Sequence, residues 1–222
     1  MQLTLKKHKE FWAKKDLSFS SFLALVFFIV SLVINYGAIS LSYRDASNSV
    51  TDILLNNLPV INTDIIFSEG AAVFVLFVVF LFIANPKIIP FTLKSVSLFI
   101  CVRSCFVVMT HLAPPVGHIF THIENSGYIS LGSDLFFSGH TGLPFLMSLL
   151  FWDNKNLRYL FLGASVIAGT AVILGHLHYT IDVFSAYFIT HGIYLIAQKL
   201  FKVDFELLKT TSFLNKSFDL NH

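Results

Sequence analysis

The sequence predicts an all-α, polytopic membrane protein with six transmembrane helices. Three observations carry that prediction. The chain is 55% hydrophobic and 13% charged, with 25 phenylalanines among 222 residues; a soluble domain carries about 25% charged residues. Its apolar residues fall into six segments of roughly membrane-crossing length, about 20 residues being needed for a helix to cross. Its basic residues fall in every other connection, which six crossings put on one side of the membrane.

The first segment, 19–40, is too long for the apolar core of a signal peptide and lacks a clear cleavage site, so it reads as a membrane anchor. The second is 66–84. The third, 90–112, carries Cys101, Arg103 and Cys105. The two cysteines lie one helical turn apart, a poor disulfide pair, and read as packing residues. The fourth, 138–152, and the fifth, 158–175, are short. Pro144 is tolerable in a first helical turn and kinks the helix if it lies deeper. The sixth is 180–201. The chain thus divides into an N-terminal segment, 1–18, a six-helix domain, 19–201, and a tail, 202–222.

With six crossings, Lys6, Lys7, Lys9, Lys14, Lys15, Lys87, Lys94, Lys155, Arg158, Lys199, Lys202, Lys209 and Lys216 all fall on one side. The two long opposite loops, 41–65 and 113–137, hold Arg44 alone. Positive charge marks the cytoplasmic side. Both termini are therefore expected there, with His140 and His178 at the opposite face. A net charge of +2 gives no reason to expect a nucleic-acid partner. The small size and short loops favour a bacterial inner membrane.

Two short motifs carry the chemistry. Gly175-His176-Leu177-His178-Tyr179-Thr180-Ile181-Asp182 places His178 and Asp182 four residues apart, on one face if the segment is helical. A carboxylate that holds an imidazole makes it a better nucleophile or base. Phe137-Ser138-Gly139-His140-Thr141 starts a helix, whose free N–H groups favour an anion. Gly139 admits a phosphate close to the backbone, and His140 is placed to protonate a leaving oxygen. The competing readings are a structural His178–Asp182 pair, a helix capped by Ser138, and a metal site through His176 and His178; for the last, no further ligand cluster stands out. Arg103 is the charged residue inside the third segment. Such a charge is costly in a membrane and usually has a functional partner. Its guanidinium suits a phosphate, and the alternative is an ion pair with Asp134 or Asp182. Asp134 is a candidate to tune His140 or to meet a choline-like cation. Tyr128, Phe136, Phe137 and Tyr179 are candidate aromatic partners for that cation. His111, His118, His122, Glu124 and His176 receive no assigned role.

These residues resemble a known family. Arg103-Ser104-Cys105-Phe106 through Pro114-Pro115, Gly132 through Thr141 and His176 through Val183 are similar to three signature blocks of the sphingomyelin synthases, a branch of the type 2 phosphatidic acid phosphatase superfamily. Ala186 through Thr190 extends the last block, and Asn57-Leu58-Pro59 with Asp64 weakly matches another. The likeness covers about residues 100–195. It implies six spans, an exoplasmic site and no cofactor or metal. It also implies a two-step transfer. His178 attacks a phospholipid phosphodiester, Asp182 orients it, and His140 exchanges protons with the leaving and entering hydroxyls. Arg103, Ser138, Gly139, Asp134 and Tyr179 would bind substrate. The partners are then a membrane phospholipid and a lipid-hydroxyl acceptor such as ceramide. Ser104 follows Arg103 where the superfamily's phosphatases have proline, and Val96 and Val172 stand where they carry cations. A phosphomonoester dianion wants those cations more than a diester does, so headgroup transfer is favoured over monoester hydrolysis. A lipid phosphatase or phosphodiesterase acting with water remains an alternative, as does a non-catalytic lipid-binding protein. Headgroup, acceptor and oligomeric state are not readable.

Overall fold

A computed structural model describes residues 8–44, 47–117 and 135–211, which are helical without any strand. The expected residues Asp134, His118, His122, Glu124 and Tyr128 lie outside the described residues.

Helix α1 spans Lys15–Arg44, with Asp16 in its first turn and Arg44 in its last; each charge opposes the helix dipole at its end. The hydroxyls of Ser21 and Ser31 donate to the carbonyls of Leu17 and Phe28, which satisfies them where water is absent. Helix α2 spans Asp64–Ala84. Pro86 opens a short 3-10 turn, Pro86–Ile88, that leads into α3, Ile89–Thr110. Helix α3 ends at His111, left-handed at φ 42°, the conformation that commonly stops a helix. Helix α5, Lys155–Leu174, starts from Asn154, whose side chain accepts from the Leu157 N–H. Helix α6 spans Thr180–Leu200, and α7, Lys202–Lys209, follows it directly.

Among the described residues, five helices are long and apolar enough to cross a membrane: Lys15–Ser42 within α1, α2, Pro86–Thr110, α5 and α6. They make this an integral, multi-pass membrane protein. The segment expected as the fourth crossing behaves differently. It forms α4, Gly139–Leu150, of 12 residues. At 1.5 Å per residue it covers about 18 Å, short of a hydrocarbon core of about 30 Å. Most of its side chains are buried, so α4 lies inside the bundle, packed on α5 and α6. Pro144 lies beyond its first turn and has no N–H to give to the His140 carbonyl.

Buried phenylalanines hold the interior together. The Phe99 and Phe137 rings meet edge-on at 5.3 Å, and Phe151 stacks on Phe161 at 5.7 Å; such pairs add about 0.5–1.5 kcal/mol beyond area burial. The longest interface runs between α1 and α3. At the bundle end away from His178, Lys94 of α3 pairs with Asp204 of α7 at 2.6 Å and donates to Ser20 of α1 at 2.8 Å. Lys94, expected as a flanking basic residue, is thus buried. Cys105 is exposed and Cys101 half-buried, and both are free thiols.

Candidate active site

The turn between α5 and α6 is built by α5 itself. The Val172 carbonyl accepts the N–H groups of Leu177 and His178, at 2.9 and 3.3 Å. His176 takes a left-handed φ of 51° to close it. The expectation of a helical His178–Asp182 pair needs correction, because α6 begins at Thr180. His178 lies in the turn before it. What brings the two together is a cap: Asp182 Oδ2 accepts the Tyr179 N–H at 2.9 Å. The carboxylate folds back over the helix start and ends 3.5 Å from His178 Nδ1. Both side chains are at least 94% buried. His178 Nδ1 and Asp182 Oδ1 have no hydrogen-bond partner. The 3.5 Å gap is long for a hydrogen bond.

The second motif is tied to the first through the backbone. Ser138 N–H donates to the Asp182 carbonyl at 3.0 Å. Ser138 caps α4 by accepting from the Thr141 N–H. From α5, the Ser165 hydroxyl donates to the Thr141 carbonyl at 2.8 Å. These bonds fix the start of α4 against the α5–α6 turn. His140 therefore opens onto the same cavity as His178 and Arg103. Its ring stacks on Phe67 of α2, with centroids 3.9 Å apart.

Arg103 reaches the same place from α3. It is buried, and its Nε donates to the Phe137 carbonyl at 2.6 Å. That bond aims the guanidinium across Gly139, where an added Cβ would stand 3.4 Å from Nε. Gly139 thus leaves room for Arg103 as much as for a substrate.

Arg103, Gly139, His140 and His178 line one cavity of about 480 Å³. Apart from Asn35 its other walls are apolar, among them Phe67, Phe74, Leu143 and Ile167. Ser138 stands behind this surface, fully buried. Tyr179 does not reach it either. Its ring is buried, and its hydroxyl donates to the Ala113 carbonyl at 2.8 Å while accepting the Val50 N–H at 3.1 Å. It joins two loops to the turn instead of facing a headgroup. His176 is likewise held, with Nδ1 2.9 Å from the Val116 carbonyl oxygen. Among the described residues no group of three His, Cys, Asp or Glu side chains is arranged around a metal ion.

Three residues escaped the sequence reading. Phe67 carries no signal among 25 phenylalanines. Asn35 lines the cavity from α1; a polar residue inside an apolar span was its only mark. Asp52 accepts the N–H and the hydroxyl of Thr180, each at 2.7 Å, and so caps α6 from a loop 128 residues away. Spacing does not reveal a partner that distant.

Residues 132–199 match the family model described as PAP2 superfamily C-terminal. The match takes in His140, His178 and Asp182 and leaves out Arg103. The similarity to the type 2 phosphatidic acid phosphatase superfamily covers this segment, less than half of the chain. No curated protein and no solved structure matches the chain.

Proposed function

We propose that the protein transfers a phosphorylated headgroup, such as phosphocholine, from a glycerophospholipid to a lipid hydroxyl, such as that of ceramide, as sphingomyelin synthases do. One observation carries the reading. His178, backed by Asp182, shares an apolar cavity inside a membrane bundle with His140 and Arg103. Such a cavity suits a lipid whose charged centre must be met by a few fixed polar groups.

In the first step His178 Nε2 attacks the phosphorus, because Nδ1 is turned to Asp182. The P–O bond to diacylglycerol breaks, and His140 gives its proton to the departing oxygen. Arg103 neutralises charge building on the non-bridging oxygens. In the second step an acceptor hydroxyl loses its proton to His140 and attacks the phosphorus. The Nε2–P bond breaks, and both histidines return to their starting state. Asp182 steadies the imidazolium character of the intermediate.

A diester fits better than a monoester here. Val172, in a cation position of the superfamily's phosphatases, is 1% exposed and packs with Phe67, Leu177 and Val183. The wall facing the substrate thus offers Arg103 without that second cation. We place the site at the non-cytoplasmic face, because the lysine-rich segments lie at the other end of the bundle.

The test is purified protein with headgroup-labelled phosphatidylcholine and ceramide. Label on ceramide supports transfer. Free phosphocholine or phosphate would replace transfer by hydrolysis, and lipid binding without turnover would remove both enzyme readings.

A further inference from the structure

One polar side chain of the candidate active-site cavity has no part in the chemistry above. Asn35 lines the cavity from α1, and Arg103 lines it from α3. Each stands seven residues inside its crossing, counted from Ser42 and from Thr110, which is about 10 Å at 1.5 Å per residue. The N–H of Ser47, just past α1, donates to the His111 carbonyl at the end of α3 at 2.8 Å. Those two helix ends are therefore neighbours, and Asn35 and Arg103 lie at one depth.

Asn35 is held from one side. The hydroxyl of Ser104, the residue after Arg103, shares its proton between the Ile100 carbonyl at 2.8 Å and Asn35 Oδ1 at 3.2 Å. Bonds of this kind join helices inside membranes, and joining α1 to α3 would be role enough for a fully paired amide. This amide is not fully paired. Its Nδ2 carries two donors, and neither has a partner among the described residues. Asn35 is half-buried, and an unmet donor away from water is costly. On the wall of a cavity, such a donor is met when the cavity fills.

The chemistry of the two lipids names the atom it meets. In a glycerophospholipid, the oxygen that leaves phosphorus is joined through a CH2–CH pair to the sn-2 ester. In ceramide, the hydroxyl that attacks phosphorus is joined through a CH2–CH pair to the amide. The acyl carbonyl thus stands the same number of bonds from the reacting oxygen in both lipids. A carbonyl oxygen is an acceptor, which Nδ2 suits and a second acceptor would not.

We propose that Asn35 Nδ2 donates to this acyl carbonyl in the lipid donor and the lipid acceptor alike. It sets the reacting oxygen at the phosphorus while Arg103 holds the phosphate, and it selects lipids that carry an acyl group next to the reacting carbon. The choice of substrates rests on the headgroup-transfer reading above.

The test compares headgroup-labelled phosphatidylcholine with its sn-2 ether analogue, which keeps the chain and loses the carbonyl. Label leaving the lipid is counted whether it reaches ceramide or water. Wild type should favour the ester about three- to tenfold in kcat/KM, the worth of one neutral hydrogen bond. Asn35→Leu should handle the ester no better than the ether and lose nothing further on the ether. Ser104→Ala, which releases the amide, should keep only part of the preference. Equilibrium binding of the same two lipids to full-length His178→Asn should show the ester preference as well, and adding Asn35→Leu should remove it. Binding preference without any label release would refute the proposed reaction and leave this role of Asn35 standing. Equal handling of ester and ether by wild type would overturn the proposal. So would equal losses on both lipids in Asn35→Leu, which would leave Asn35 as a joint between α1 and α3. A preference for the ether would also overturn it, because an amide oxygen facing the lipid would repel a carbonyl.

Discussion

His178 Nδ1 stands 3.5 Å from Asp182 Oδ2, and that same oxygen already accepts the Tyr179 N–H at 2.9 Å. One carboxylate therefore caps a helix and faces the imidazole. Its position is set by backbone geometry before any substrate arrives. This separates its two duties experimentally. Asp182→Asn keeps an oxygen for the Tyr179 N–H and loses the charge. We expect its fold to survive and its turnover to fall by about 10²–10⁴-fold, the range for a disabled acid–base group. His178→Asn should abolish turnover and any acid-labile phospho-enzyme, measured by acid quench with labelled lipid. Retained turnover in His178→Asn would exclude the mechanism.

Arg103→Lys tests the phosphate contact. A lysine offers a point charge and no planar fork, and it cannot both hold the Phe137 carbonyl and present paired donors. We expect kcat/KM to drop at least tenfold, with unchanged thermal stability separating this from a packing defect.

Gly142 tests the packing that holds α4 in place. An added Cβ there would lie 2.7 Å from Phe99 Cε2 and 2.9 Å from the Thr190 hydroxyl. Gly142→Ala should destabilise by about 1–3 kcal/mol, as overpacking does. Gly192, with nothing within 4 Å of an added Cβ, is the control. Its alanine variant should gain up to about 1 kcal/mol of helix propensity. Thermal unfolding in one detergent reads both.

Lys94 and Asp204 pair at 2.6 Å with both side chains under 10% exposed. Removing one partner strands a buried charge, which costs about 3–5 kcal/mol. Lys94→Met should therefore lower the unfolding midpoint more than the double variant Lys94→Met/Asp204→Leu does. A double variant that is worse than the single one would contradict this account.

Asp52 supplies a pH dependence. Burial pushes its carboxyl upward from the ordinary 3.8, but hydrogen bonds from the Thr180 hydroxyl and the Thr180, Leu55 and Leu54 N–H groups outweigh that and hold it lower. A group depressed on folding stabilises fully above its unfolded value, and the contribution fades as pH falls through the folded one. The stability difference between wild type and Asp52→Asn should thus be constant from pH 7 to about 5 and shrink below about 4. A difference that grows on acidification would reverse the sign and the argument.

The helices were legible because their cause is local. A run such as 66–84 must form a helix in a bilayer, since nothing else satisfies its backbone, and α2 occupies Asp64–Ala84. Segment 138–152 was legible as an apolar helix for the same reason. Its composition matches a span, but its 12-residue helix is enclosed by protein, and hydropathy does not distinguish lipid from a protein interior. The candidate residues His140, His178, Asp182 and Arg103 stood out as polar groups in an apolar chain; three of them line the cavity and Asp182 stands behind His178. Tyr179 stood out equally and points elsewhere.

By itself the sequence determined that this chain crosses a membrane and which residue types can handle a phosphate ester. Both follow from composition and from chemistry that neighbours supply. Only the tertiary structure decided that Asp182 meets His178 through a cap instead of a helical turn, that Arg103 lies over Gly139, and that Asp52 holds the start of α6. Each of these depends on atoms brought together from distant parts of the chain. Their directions are fixed by packing and backbone hydrogen bonds, which residue spacing does not encode.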